Sequence, residues 1–254
     1  MKPDKFGCEL EFVVNNEQDI QVEEKLNSLY KSSYLVDLKN SNIASDPKQT
    51  KVHYKFEASL ESKLGRELTS PICSFEELKN YLTEFALIIN THAKTNSLTG
   101  LHIHISSSDE SGIELDLCKF ALLADAKKLL NNWGARNKYC LNLMDIMDYL
   151  EFGDVILFKE HKGRVWNLLK RGSHHVEIRT FGGEDYQNKI QQVIEEIESY
   201  IEIFSHSTNE NFASEEYLDK LEKHAERLDK MSQETIENYL TAFPEIDSFL
   251  TLSY

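Results

Sequence analysis

Three short stretches of the chain carry pairs of charged or metal-ligating side chains two residues apart. In Phe6-Gly7-Cys8-Glu9-Leu10-Glu11-Phe12 two glutamates alternate with apolar residues, and in Gly100-Leu101-His102-Ile103-His104-Ile105-Ser106 two histidines do the same. In His175-Val176-Glu177-Ile178-Arg179-Thr180-Phe181 a glutamate and an arginine stand against Val176 and Ile178. Side chains at i and i+2 of a strand point to one side about 6–7 Å apart. Two ionised glutamates so placed repel by roughly 2–3 kcal/mol at an effective dielectric near 20, and a cation between them removes that cost. Three such strands in one sheet would join their polar faces into a single wall of carboxylates, imidazoles and a guanidinium.

Carboxylates with one or two imidazoles and no thiolate favour Mg²⁺ or Mn²⁺ over zinc, because hard oxygen donors dominate. An arginine two residues from a ligand carboxylate suits a phosphate oxygen already held by such an ion. Metal plus arginine reads as phosphoryl transfer. For any one pair the alternative is the solvated outer face of an antiparallel sheet, with Glu177 and Arg179 a surface pair worth under about 1 kcal/mol. Three pairs on three strands weigh against that alternative. His53, His92, His161, His174, His175, His206 and His224 lack such spacing and read as surface or satisfied core histidines. Gly182-Gly183 reads as a turn, since it lacks the lysine and following helix of a phosphate loop.

The elements that must position these pairs can be read in order. A strand over about Lys5 to Val14 leads into a helix near Asp19 to Lys31, with Ile20, Leu26, Leu29 and Tyr30 on its apolar side. Tyr34 to Leu38 reads as a second strand, and the polar run Lys39 to Lys51, with Asp46-Pro47, as a mobile loop. Val52 to Leu60 alternates again, setting His53, Lys55, Glu57 and Ser59 against Val52, Tyr54, Phe56 and Ala58. Arg66 to Thr69 is a short strand stopped near Pro71. Ser74, with Glu77 three residues on, opens a helix to about Thr95, whose stripe of Leu78, Tyr81, Leu82, Phe85, Leu87, Ile88 and Ile89 should face the core. A further helix is expected over about Ile113 to Trp133. Gly163 to Leu169 and His174 to Phe181 form a hairpin about Arg171-Gly172, and from Tyr186 to Tyr254 the periodicity is almost wholly helical. The fold class is α+β: an antiparallel, curved sheet with helices on one side. Residues 1–204 make one domain, and 205–254 a helical extension that reads as packing or as a homo-oligomer surface.

The 254 residues include 41% hydrophobic and 10% aromatic side chains, ample for a packed core. A formal net charge of −15 argues against a nucleic-acid or anionic-membrane partner, since both need a basic surface. No apolar signal segment follows Met1-Lys2-Pro3-Asp4-Lys5 and no stretch approaches a membrane span, so a cytoplasmic protein is expected. Cys8, Cys73, Cys118 and Cys140 are scattered and read as reduced, buried thiols.

Phe-Gly-Cys-Glu-Leu-Glu-Phe, Gly-Arg-Glu-Leu-Thr-Ser-Pro, Gly-Leu-His-Ile-His-Ile-Ser and Val-Glu-Ile-Arg-Thr-Phe, in that order, resemble the amidoligase family, a branch of the carboxylate–amine ligases related to glutamine synthetase and glutamate–cysteine ligase. Arg136-Asn137-Lys138-Tyr139-Cys140 and Arg164-Val165-Trp166-Asn167 look like that family's intermediate motifs. The resemblance spans Phe6 to Gly183. It implies a catalytic sheet of the glutamine synthetase type and ATP-dependent amide formation through an acyl phosphate, from small-molecule or peptide carboxylate and amine substrates. It further implies that Glu9, His102 and Glu177 are ligands of the metal that holds the γ-phosphate, and Glu11 and Glu67 ligands of a second metal. Glu57 joins the latter loosely, because the family often carries aspartate near that point. By the same resemblance Arg179 and Arg164 neutralise the transferring phosphoryl group, His104 sits near the nucleotide phosphates, and Ser70 is a candidate for the substrate side. Two other classes fit the same strands: a metal-dependent phosphotransferase of the guanidino kinase type, and a non-catalytic binding or scaffold protein.

Overall fold

The computed structural model describes residues 2–30, 35–37, 50–57, 60, 64–108, 115, 120, 123–124, 166–167 and 174–208. These form β1 (Lys5–Val13), α1 (Asn16–Leu29), β2 (Leu35–Asp37), β3 (Val52–Phe56), β4 (Gly65–Thr69), α2 (Phe75–His92), β5 (Gly100–Ser106), β6 (Trp166–Asn167), β7 (His175–Gly182), a 3₁₀ turn (Tyr186–Lys189) and α3 (Ile190–His206). The strands make one sheet in the order β2-β3-β4-β1-β5-β7-β6. Every neighbouring pair is antiparallel except β2, which joins β3 in parallel. The fold is an α+β mix.

The sheet has two unlike faces. Phe6, Cys8, Leu10 and Phe12 of β1, Leu68 of β4, Leu101, Ile103 and Ile105 of β5 and Val176 and Ile178 of β7 are buried in one cluster with the apolar sides of α2 and α3. Burying a large apolar side chain contributes roughly 1.5–3 kcal/mol, so this face anchors the sheet. Phe12, fully buried, stacks on Tyr54 with ring centroids 6.3 Å apart. Phe12→Ala should therefore cost about 3–5 kcal/mol of stability, measurable as a lowered urea midpoint; a loss below 1 kcal/mol would contradict this packing.

The helices start where local hydrogen bonds begin. Ser74 accepts from Glu77 N while the Glu77 carboxylate accepts from Ser74 N, the expected capping box of α2. An analogous box between Asn15 and Gln18 starts α1 at Asn16, three residues before the expected Asp19. Ile20 and Leu29 of α1 and Leu87 of α2 are exposed rather than on the core stripe. α1 is held by the expected Leu26, by Val22 and by a polar anchor: Asp19 accepts from Arg66 Nη2 at 2.8 Å and Nε at 3.1 Å, and from the Tyr54 hydroxyl. β3 ends at Phe56, itself partly exposed, rather than at Leu60.

In β7, Glu177 and Arg179 share a face by alternation, and Phe181 would join them. Phe181 is nevertheless fully buried in the apolar cluster. The register explains it: Leu101 faces Phe181 and Ile103 faces Ile178, so two steps on β5 match three on β7. This irregularity reverses the facing of the residues beyond it, keeping Phe181 in the core and the Glu177/Arg179 pair on the polar side. Cys8 and Cys73 are buried free thiols, as expected; burial pushes both upward in pKa, Cys73 to about 12. Among the described residues no helix is long and apolar enough to cross a membrane. The 39–49 loop, the helix about 113–133, most of the first hairpin strand, Arg136–Cys140, Cys118 and residues 209–254 lie outside the described residues, Leu115, Phe120 and Leu123–Ala124 excepted.

Candidate functional site

The polar face is built row by row from strand register. Glu9 of β1 stands between Thr69 of β4 and His102 of β5, and Glu11 stands opposite Glu67. His104 stands opposite Glu177 on β7, and Lys55 of β3 opposite Glu67. Pairs directly opposite in a sheet have Cβ atoms about 4.5–5.5 Å apart, so the strands crowd their charged side chains onto one wall.

Two groups of possible ligands result. One oxygen each of Glu9 and Glu177 and one nitrogen of His104 lie within 4.8 Å of one another. His102 borders the same group, with Nδ1 3.2 Å from Glu9 Oε2 and 3.8 Å from Glu177 Oε1. The second group is Glu11, Glu57 and Glu67, again with ligand atoms mutually within 4.8 Å. His102 links the two, its Nε2 lying 3.9 Å from Glu11 Oε1. The expected set Glu9, His102 and Glu177 is thus brought together, and His104, expected near phosphates, stands among the same carboxylates. Glu57, held loosely on the sequence, lies with Glu11 and Glu67. Arg179 Nη1 donates to Glu177. Arg164 lies outside the described residues.

The electrostatics differ between the groups. Burial works against the charge of Glu9, but hydrogen bonds from His102 and His104 outweigh it and hold its carboxyl well below the usual range. Burial above all, with the charge of Glu9, pushes Glu67 well above that range, against the pull of Lys55. Glu11 is raised by burial and by the charge of Glu57, against the pull of His102. Carboxyls forced upward by burial and by each other gain most from an entering cation.

Several residues that matter here are given no role by the sequence. His175 Nε2 lies 3.4 Å from His104 Nδ1, with ring centroids 5.4 Å apart, so the ring read as surface or core adjoins the site. Lys55 Nζ lies 2.8 Å from Glu67 Oε1. Gly100 N–H donates to Glu11 Oε2 at 2.7 Å. Cross-strand register is the signal that finds the lysine, which sequence alternation alone leaves unpaired.

At the Glu9 end of the wall opens a cavity of about 420 Å³, lined by Lys5, Gly7, Glu9, Ser70, His104, Ser106, Ser107, His174 and His175 among others. Nδ1 of His174 is buried there with no hydrogen-bond partner among the described residues. Ser70 borders the cavity, but its hydroxyl accepts from Cys8 N and donates to the Pro71 carbonyl, so its first task is to join the end of β4 to β1. Compared with known proteins, the chain matches no family model and no curated protein.

Proposed function

We propose that the protein is an ATP-dependent carboxylate–amine ligase with a sheet of the glutamine synthetase catalytic type. In this reaction an oxygen of the substrate carboxylate attacks the γ-phosphorus of ATP and ADP leaves; the amine then attacks the acyl phosphate, losing a proton and expelling phosphate to leave an amide. The observation that carries the reading is the convergence of Glu9, His102, His104 and Glu177 beside Glu11, Glu57 and Glu67 on one wall. Carboxylate and imidazole donors without a thiolate fit Mg²⁺ or Mn²⁺, and crowded buried carboxyls are the groups a divalent ion would relieve. Such ions, when bound, supply charge neutralisation and alignment for phosphoryl transfer.

In this reading Glu9, Glu177 and the two histidines hold one ion, and Glu11, Glu57 and Glu67 the other. Arg179, already against Glu177, neutralises charge on the transferring phosphoryl group. Arg164 carries a like role by resemblance alone. The cavity beside Glu9 supports a nucleotide on that side, because Lys5, His174 and His175 line it and offer donors to phosphate oxygens. The second group is then left to the acid and amine.

The test is calorimetric titration with a non-hydrolysable ATP analogue, with and without Mg²⁺ or Mn²⁺. Binding that requires the metal is expected; no binding by folded protein with either ion would overturn the reading. Phosphate release that needs both an acid and an amine then identifies a ligase. ADP with a phosphorylated product and no free phosphate would instead identify a phosphotransferase.

A further inference from the structure

Lys55 reaches the second carboxylate group from its rim. Its Nζ lies 2.8 Å from Glu67 Oε1, and the side chain keeps 35% of its surface exposed while that of Glu67 keeps 4%. The Thr69 hydroxyl donates to the same oxygen at 2.7 Å. A basic group also rests on the first group, but it is differently tethered: Arg179 and Glu177 are two residues apart on one strand, and the arginine side chain is only 16% exposed. Lys55 sits on the neighbouring strand at the end of a flexible four-carbon stem, with an open route to water.

We infer that Lys55 is the resident cation of the Glu11/Glu57/Glu67 group, engaging Glu67 while no divalent ion is present and swinging off it when one enters. The inference rests on the proposed reading of that group as an ion site. Three carboxylates and one ammonium carry a formal charge of −2, which attracts a divalent ion. Once the ion is in place, the ammonium beside it meets a like charge across a few ångströms. Because Thr69 continues to donate to Glu67 Oε1, departure of the lysine leaves that oxygen satisfied. Because the lysine head already touches water, leaving does not strand it. Lys55 thus competes with the metal for one oxygen and weakens this position relative to a site without it.

Two measurements test this. In Mn²⁺ titrations followed by electron paramagnetic resonance, Lys55→Met should tighten one of the two classes of bound Mn²⁺ by at least tenfold, about 1.4 kcal/mol, and leave the other within threefold. In the unaltered protein, acetylation of Lys55 by an amine-reactive reagent, read by peptide mass spectrometry, should quicken severalfold with Mn²⁺, while Lys79, paired with Glu76 away from the site, should not change. Two classes of Mn²⁺ with unchanged or weakened affinity in Lys55→Met, or protection of Lys55 by Mn²⁺, would overturn the role of the lysine alone. Absence of Mn²⁺ binding in the unaltered protein would overturn the ion site itself and the inference with it.

Discussion

Glu177→Gln is expected to abolish metal-dependent binding of the ATP analogue while the protein stays folded. Glu177 is fully buried, one of its oxygens lies within 4.8 Å of a ligand atom of Glu9 and of His104, and it carries Arg179. The amide keeps the shape and one carbonyl oxygen but removes the charge, so an ion in this group loses one of two carboxylate ligands. The loss should weaken divalent-ion binding at least a hundredfold and remove turnover. Stability should change far less, because two effects oppose. Arg179 loses its partner, and breaking one side of a buried pair is costly; yet the glutamine also ends the repulsion between Glu177 and Glu9. Arg179 has additional interactions and keeps some contact with water, so a net change within about 2 kcal/mol is expected. Calorimetry with Mn²⁺ and the analogue, beside a thermal melt, reads both. Undiminished analogue binding in folded Glu177→Gln would remove Glu177 from the site.

The first ring of this site is legible in the sequence because strand alternation is a local signal. Glu9 and Glu11, His102 and His104, and Glu177 and Arg179 each declare a shared face without knowledge of any other strand. What alternation cannot give is the order of strands and their register, which rests on contacts far apart in the chain. Glu67 meets Glu11 and Lys55 only because β4 lies between β1 and β3, and no spacing within Gly65–Thr69 encodes that. Phe181 shows the same limit from the other side: its place in the alternation puts it on the wall, and the shifted register puts it in the core. Ile20, Leu29 and Leu87 fail for a related reason. Helical periodicity marks an apolar stripe, but how much of it is covered depends on what lies across from it, and α1 is held partly by Asp19 on Arg66 and Tyr54.

Gly100 marks a position where the absence of a side chain is itself part of the site, and Gly100→Ala should damage both groups, through Glu11 and His102, while sparing the fold. A methyl there would stand 2.9 Å from both Glu11 Oε2 and His102 Nε2, and 3.3 Å from Glu11 Cδ. Nothing in the backbone forbids alanine: among the described residues the glycines with positive φ are Gly182 and Gly183, and β5 is fixed by its pairing with β1 and β7. The strain therefore falls on the two side chains, which must swing outward. Glu11 would lose its 2.7 Å hydrogen bond from Gly100 N as it moves. Displacing a ligand, or the bond that orients it, typically weakens a metal site 10–100-fold, and a misplacement near 1 Å can cost about a hundredfold in rate. Alanine also lowers the entropy of the unfolded chain, contributing about 0.4–1 kcal/mol in the opposite sense, so the melting temperature should move by only a few degrees. Gly7→Ala serves as the control, since its added carbon meets Ser70 Oγ at 3.6 Å and His104 Cβ at 3.9 Å, ordinary contact distances. Mn²⁺ titration of the two variants separates the cases: Mn²⁺ affinity should fall at least tenfold in both classes in Gly100→Ala and hold in Gly7→Ala. Equal affinities in both would mean that Glu11 and His102 can yield to the methyl without ceasing to bind, and that Gly100 does not position them.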